Sequence, residues 1–148
     1  MAPPKEVPPA YVEIKPANFS MDGDLAKEHK ATLPQAMAAA AIKAFKPYSG
    51  VTHKLPPGTK TGYTMAGTLK LMMKGANARA EASLRVNNWP QDSLFMMGSA
   101  GGNTEGGVSE GLIKDLAEAL VEDFVTKKLI PKFKELAAEA KKELAKQK

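Results

Sequence analysis

The sequence predicts a two-layer α+β sandwich: about four mainly antiparallel strands with two helices on one face, in the order β-α-β-β-β-α. Three observations carry this. Residues 63–86 alternate apolar and polar side chains with a period of two, broken once at Gly75-Ala76-Asn77. Leu33–Phe45 and the segment starting at Ser109 repeat their apolar residues at helical spacing. The chain has 148 residues, 43% hydrophobic and 25% charged. That suits one domain, which can bury roughly two-thirds of its unfolded surface without a metal or disulfide.

Residues 1–10 hold four prolines and read as an extended, polyproline-like arm. Tyr11-Val12-Glu13-Ile14-Lys15 alternates apolar and charged residues, a first strand that Pro16 ends. Asp22-Gly23-Asp24 signals a turn or a helix start. Thr32 is placed to cap a helix, with Pro34 in its first turn and Gln35 positioned for a capping box. Met37, Ala41, Ile42 and Phe45 give that helix an apolar face, the alanines at 38–41 permit close packing on a sheet, and Lys46-Pro47 stops it. Residues 49–62 are rich in Gly and Pro and read as a loop, with a short extended piece at Val51–Leu55.

Tyr63, Met65, Leu69, Leu71 and Met73 then alternate with Thr64, Thr68, Lys70 and Lys74. Past the turn, Ala78, Ala80, Ala82, Leu84 and Val86 alternate with Arg79, Glu81, Ser83, Arg85 and Asn87, so the two strands form a hairpin with one buried and one wet face. Residues 87–92 read as a turn, Ser93 to about Ala100 as a fourth strand, and Gly98–Gly107 as a glycine-rich connector. Ser109 can cap the second helix, where Leu112, Leu116, Leu120 and Phe124 step by four beside Ile113, Ala117 and Val121. Pro131 removes the N–H that would bond near Lys127, so a kink or break is expected there. Phe133, Leu136, Ala137, Ala140 and Leu144 continue a narrower seam beyond it. The plan is therefore a proline-rich arm at 1–10, an α+β domain at 11–130 and a basic helical extension at 131–148.

The chemistry that composition excludes is broad. There is no cysteine, hence no disulfide, thiol catalysis or cysteine zinc site. No run approaches the roughly 20 apolar residues of a membrane span, and Met1–Pro9 lacks the apolar core of a signal peptide. His29 and His53 have no metal-ligand spacing and read as solvated. Trp89, Met96, Met97 and His53 include soft-metal donors, but methionine pairs on strands are chiefly core filler and exposed edge. Asp22, Asp24 and Glu28 lack a calcium-loop continuation and read as helix N-terminal charge. The glycine-rich segment runs from strand to helix, where phosphate loops sit, yet Val108-Ser109 replaces the required Lys-Ser/Thr and Glu105 repels phosphate. No nucleophile motif occurs. The sequence thus assigns no catalytic, cofactor-binding or metal-binding residue, and no cofactor.

The formal net charge is +5, and Lys127–Lys148 alone carries eight lysines against three glutamates. This falls short of the continuous basic stripe of a nucleic-acid domain. Lys70, Lys74, Arg79 and Arg85 fall on the face of the hairpin turned away from the helices. An RNA-binding sheet needs exposed aromatics for stacking, and none interleaves here, so contact with protein is the better reading. The candidate partner contacts are these four residues with Lys132, Lys134, Lys141 and Lys142. Other protein subunits or self-association are expected, and nucleic acid is not.

The helix Leu33–Phe45, the strands Tyr63–Met73 and Ala78–Val86, the glycine-rich segment and the helix from Ser109 together resemble small lipoprotein-type domains of the Gram-negative envelope. These are of the curli-secretion and penicillin-binding-protein-activator type. The resemblance spans about residues 11–130 and is one of architecture, so it transfers no functional residue. It implies a domain without enzymatic activity that acts by binding other proteins. The chain departs from the group in having no cysteine for lipid attachment. The expected function is a non-enzymatic structural or protein-interaction subunit of a larger assembly, with the cell envelope or periplasm favoured over the cytoplasm. The rival is a small-ligand or anion-binding domain using the glycine-rich loop or a pocket between helix and sheet.

Overall fold

In the computed structural model, which describes residues 10–23, 32–48, 50–55 and 57–146, the chain runs β1 (Ala10–Asp22), α1 (Leu33–Phe45), β2 (Val51–Thr52), β3 (Gly62–Lys74), β4 (Asn77–Trp89), β5 (Leu94–Asn103), α2 (Glu110–Phe124), a π-helical turn (Val125–Leu129) and α3 (Ile130–Lys146). The arm at 1–9 lies outside the described residues, as do Asp24, Glu28, His29 and the side chain of Leu144.

The described strands form one five-stranded mixed sheet in the order β2-β1-β3-β4-β5. This corrects the expectation of about four mainly antiparallel strands. The β3–β4 and β4–β5 pairs are antiparallel, but β1 runs parallel to both β2 and β3. The reason is α1. Parallel neighbours need a crossover of a dozen or more residues, and the helix after β1 supplies one. The α+β class stands, with α1 packed mainly on β1 and α2 on β4 and β5.

The first strand also runs past Pro16. Ile14 pairs with Met65 and Phe19 with Gly67, so the register jumps between them. Pro16 has no N–H for the ladder; the bulge absorbs it, and pairing resumes as far as Asp22. Gly23 follows at a φ of +98°, and a Cβ there would fall on the Leu71 carbonyl oxygen.

Period-two alternation sends Met65, Leu69 and Leu71 of β3, and Ala78, Ala80, Ala82, Leu84 and Val86 of β4, into the core. Full burial of each large side chain stabilises by about 1.5–3 kcal/mol. Register sets large against small, with Leu69 opposite Ala82 and Leu71 opposite Ala80. Met37, Ala38, Ala41 and Phe45 of α1 and Ile113, Ala117, Leu120, Val121 and Phe124 of α2 close the core from above. Met73, at the hairpin tip, departs from the pattern and is 47% exposed. The following turn starts later than expected, because β4 continues through Trp89.

The glycine-rich segment is half strand. Gly98 and Gly102 lie on the helix side of β5, where a Cβ would meet Phe124 Cε2 at 2.8 Å and Leu116 Cδ1 at 2.9 Å. Side chains at these positions would lift α2 off the sheet, so the glycines serve packing. The rest of the segment is tied down. Buried Thr104 donates its N–H to Ala78 O at 2.8 Å and accepts from Ala78 N at its Oγ1 at 2.9 Å. Gly107 N donates to Asn77 Oδ1 at 2.9 Å.

Ser109 caps α2, its Oγ accepting from Leu112 N at 3.4 Å. Thr32 makes no side-chain cap to α1, so the capping box does not form. The chain does not break at Pro131. It passes through the π turn just before it, with Ile130 N donating to Val125 O. The wider turn avoids the carbonyl that a proline cannot serve, and Val125, Leu129, Ile130 and Phe133 all stay buried.

Candidate functional site

The sheet face opposite the helices is the first candidate surface. Lys70, Lys74 and Arg85 stand on it exposed, while Arg79 is half-buried. Arg79 Nε donates to Glu81 Oε1 at 3.1 Å and its Nη1 to Asn103 Oδ1 at 3.3 Å. Lys70 is in register with Asp22, and Lys15 lies 3.5 Å from Glu13. The face is thus of mixed charge, and such exposed pairs contribute about 0–1 kcal/mol each. At its outer edge is β5, where Leu94 is 56% and Met97 64% exposed. On α3, Lys134, Lys141 and Lys142 are exposed and Lys132 half-buried. Lys134 Nζ lies 5.9 Å from the centre of the Tyr48 ring. The eight basic residues are therefore split between two surfaces, the sheet face and α3.

The second surface is an open groove of about 1250 Å³ between α3 and the end of the sheet where β1 and β3 begin and β4 finishes. One wall is α3, presenting Phe133, Leu136, Ala137 and Ala140. Tyr11, Tyr48, Tyr63 and Trp89 supply the aromatic part of the remaining lining. Tyr11 and Trp89 meet edge to face at 6.0 Å, and Tyr63 packs on Phe95 at 4.6 Å and on Phe133 at 5.2 Å. Linear order hides this cluster, because its members come from five elements and one loop. The available signals were the alternation parity that puts Tyr63 on the helix side and the helical seam that holds Phe133.

Burial raises the Tyr63 phenol above its ordinary value near 10. Burial does the same to Tyr11, helped by repulsion from Glu13 and by the hydrogen bond its OH donates to Glu13 Oε2. A phenol whose value is raised on folding opposes ionisation of the native state. Its contribution is complete below about pH 10 and is lost as pH rises above that. Tyr63→Phe leaves nothing to ionise there. Thermal unfolding followed from about pH 8 to 11 should show a steeper alkaline loss of Tm in the wild type than in this variant.

His53 is half-buried, its Nδ1 3.2 Å from Val12 O and its ring 5.5 Å from that of Phe45, where the spacing alone suggested a solvated residue. Met96 is half-buried against the core while Met97 is exposed. Among the described residues no three His, Asp or Glu side chains come together as a metal cage. No described helix is long and apolar enough to cross a membrane.

No protein-family model and no curated protein matches the chain. Solved structures do. A PelC dodecamer from Paraburkholderia phytofirmans is 8% identical over 85% of this chain and 92% of that one, at a TM-score of 0.50. A Xanthomonas campestris protein of family DUF330 is 6% identical over 93% and 90%, at 0.51. A minor lipoprotein from Acinetobacter baumannii is 7% identical over 82% and 93%, at 0.44. At such identities the likeness is one of fold. The architecture is shared with the Paraburkholderia and Xanthomonas proteins.

Proposed function

We propose that the chain is a non-enzymatic structural or protein-interaction subunit that associates with further copies of itself, or with other protein subunits, in the Gram-negative cell envelope. The observation that carries this reading is an edge of the sheet that no described strand covers. β5 is last in the strand order, and its ten residues, Leu94–Asn103, contain no charged side chain and no proline. Natural edge strands are guarded by charge, proline or cover; β5 supplies no such guard of its own, and a cation beside it is Lys128, whose Nζ would lie 3.3 Å from a Cβ at Gly98. Leu94 and Met97 add exposed apolar area on this edge, and Arg85, in register with Met97, lies beside it. The PelC of similar fold forms a dodecamer, which supports assembly as a use for this architecture. In this reading the sheet face with Lys70, Lys74, Arg79 and Arg85 flanks the contact. The α3 lysines Lys132, Lys134, Lys141 and Lys142 form the second.

Light scattering of the full chain tests it. The wild type is expected as an oligomer whose mass rises with concentration. Leu94→Lys combined with Met97→Lys should weaken association at least about tenfold, since it puts charge on the edge. Both positions are exposed, so Tm should move little. A wild type that stays monomeric at high concentration, or an oligomer indifferent to the two lysines, would remove the support of the edge.

A further inference from the structure

We propose that the groove between α3 and the sheet end binds a single-chain amphipathic acid, an elongated apolar body ending in one anionic group. This goes beyond assembly through β5 and does not need it, although Lys134 and Lys141 of the second contact are here given to the ligand. Three features of the groove point to that chemistry. Leu136, Ala137 and Ala140 of α3, with Tyr48 and Trp89, give it apolar and aromatic surface over a floor where Tyr63 meets Phe133, and Thr61, Asn88 and Gln91 are among the polar residues between them. From Phe133 to Lys141 the helical wall rises by eight residue steps, about 12 Å. Apolar surface of this extent suits a hydrocarbon better than a compact polar solute.

The third feature is charge. The charged side chains among the described residues of the lining are Lys60, Lys134 and Lys141, with no carboxylate. The rim is therefore cationic. Lys134 and Lys141 stand seven residues apart, two turns along the same helix. Lys60 stands on the opposite loop, so an acidic head entering from the open side meets cations from both walls. A neutral chain would gain the apolar walls but nothing from the rim. A free phosphate would gain the rim but leave the walls unused.

The protein holds a built-in reporter. Trp89 is the one tryptophan of the chain, and it lines the groove. Titration of the full-length protein with laurate, below the concentration at which laurate forms micelles, should shift Trp89 emission to the blue and saturate. Equal titration with dodecanol tests the head group and should bind several-fold more weakly. Lys134→Gln with Lys141→Gln should raise the laurate Kd about fivefold to tenfold and leave dodecanol unchanged, both residues being exposed and outside the core. Ala137→Trp should obstruct the groove; its laurate binding is then read by calorimetry, because the new indole would confuse the emission, and is expected to be lost. Four outcomes overturn the proposal: no saturable shift with laurate, equal affinity for dodecanol, a laurate Kd indifferent to the two lysines, or a response to anionic phosphatidylglycerol vesicles in place of laurate. The last would make this a membrane-facing surface. Light scattering run alongside separates failure here from failure of the assembly reading.

Discussion

Replacing Phe133 by alanine is expected to lower stability by about 3–5 kcal/mol, the usual cost of emptying a buried phenylalanine site. For a domain of this size that is a fall in Tm of roughly 10 °C or more. Phe133 is 4% exposed. Its ring lies 5.2 Å from Tyr63, 6.1 Å from Phe95 and 6.3 Å from Phe45, so it joins α3 to β3, β5 and α1 together. Leu136, the next large apolar side chain along α3, is half-exposed along the groove and does not occupy that site. Lys142→Ala, at an exposed position on the same helix, should stay within about 0.5 kcal/mol. Chemical denaturation of the two variants decides the matter. If Phe133→Ala is as mild as Lys142→Ala, the first turns of α3 do not belong to the core. The result also bears on the proposed boundary at residue 131. A chain cut there loses Phe133, so any loss of association in it has to be separated from loss of fold.

Gly23→Ala should be nearly as damaging, at about 3 kcal/mol or more. Two costs combine. The φ of +98° is one that a side-chain-bearing residue adopts only under strain. The added Cβ would also meet the Leu71 carbonyl, a backbone group of the central strand that cannot swing away as a side chain could. Relief requires the end of β1 to separate from β3, where Asp22 pairs with Lys70. Gly58→Ala is the matching control. Its φ is +80° but nothing lies within 4 Å of the added atom, so it isolates the conformational cost from the collision. A Gly23→Ala variant no less stable than Gly58→Ala would show that the close approach of β1 to β3 is not needed.

What the residues determine by themselves is local and periodic. Alternation from Tyr63 to Val86 states which side chains are buried, because a pleated strand sends successive residues to opposite faces. Leu71 and Leu84 are accordingly in the core and Lys70 and Arg85 in water. Helical spacing and the Ser109 cap locate α2, since both depend on neighbours within one or two turns. Strand partners are different, because they depend on where the chain goes after it leaves a strand. The parallel pairing of β1, its passage across Pro16 and its contact at Gly23 arise only when α1 brings the chain round to lay β3 alongside. The glycines of β5 read as a loop until a helix is set upon them; their lack of side chains then proves to be what lets Phe124 and Leu116 approach. The groove is the furthest removed from the linear chain. Its aromatic lining joins residues from Tyr11 to Trp89 with a helix that begins at Ile130, so only the closed tertiary structure brings them to one site.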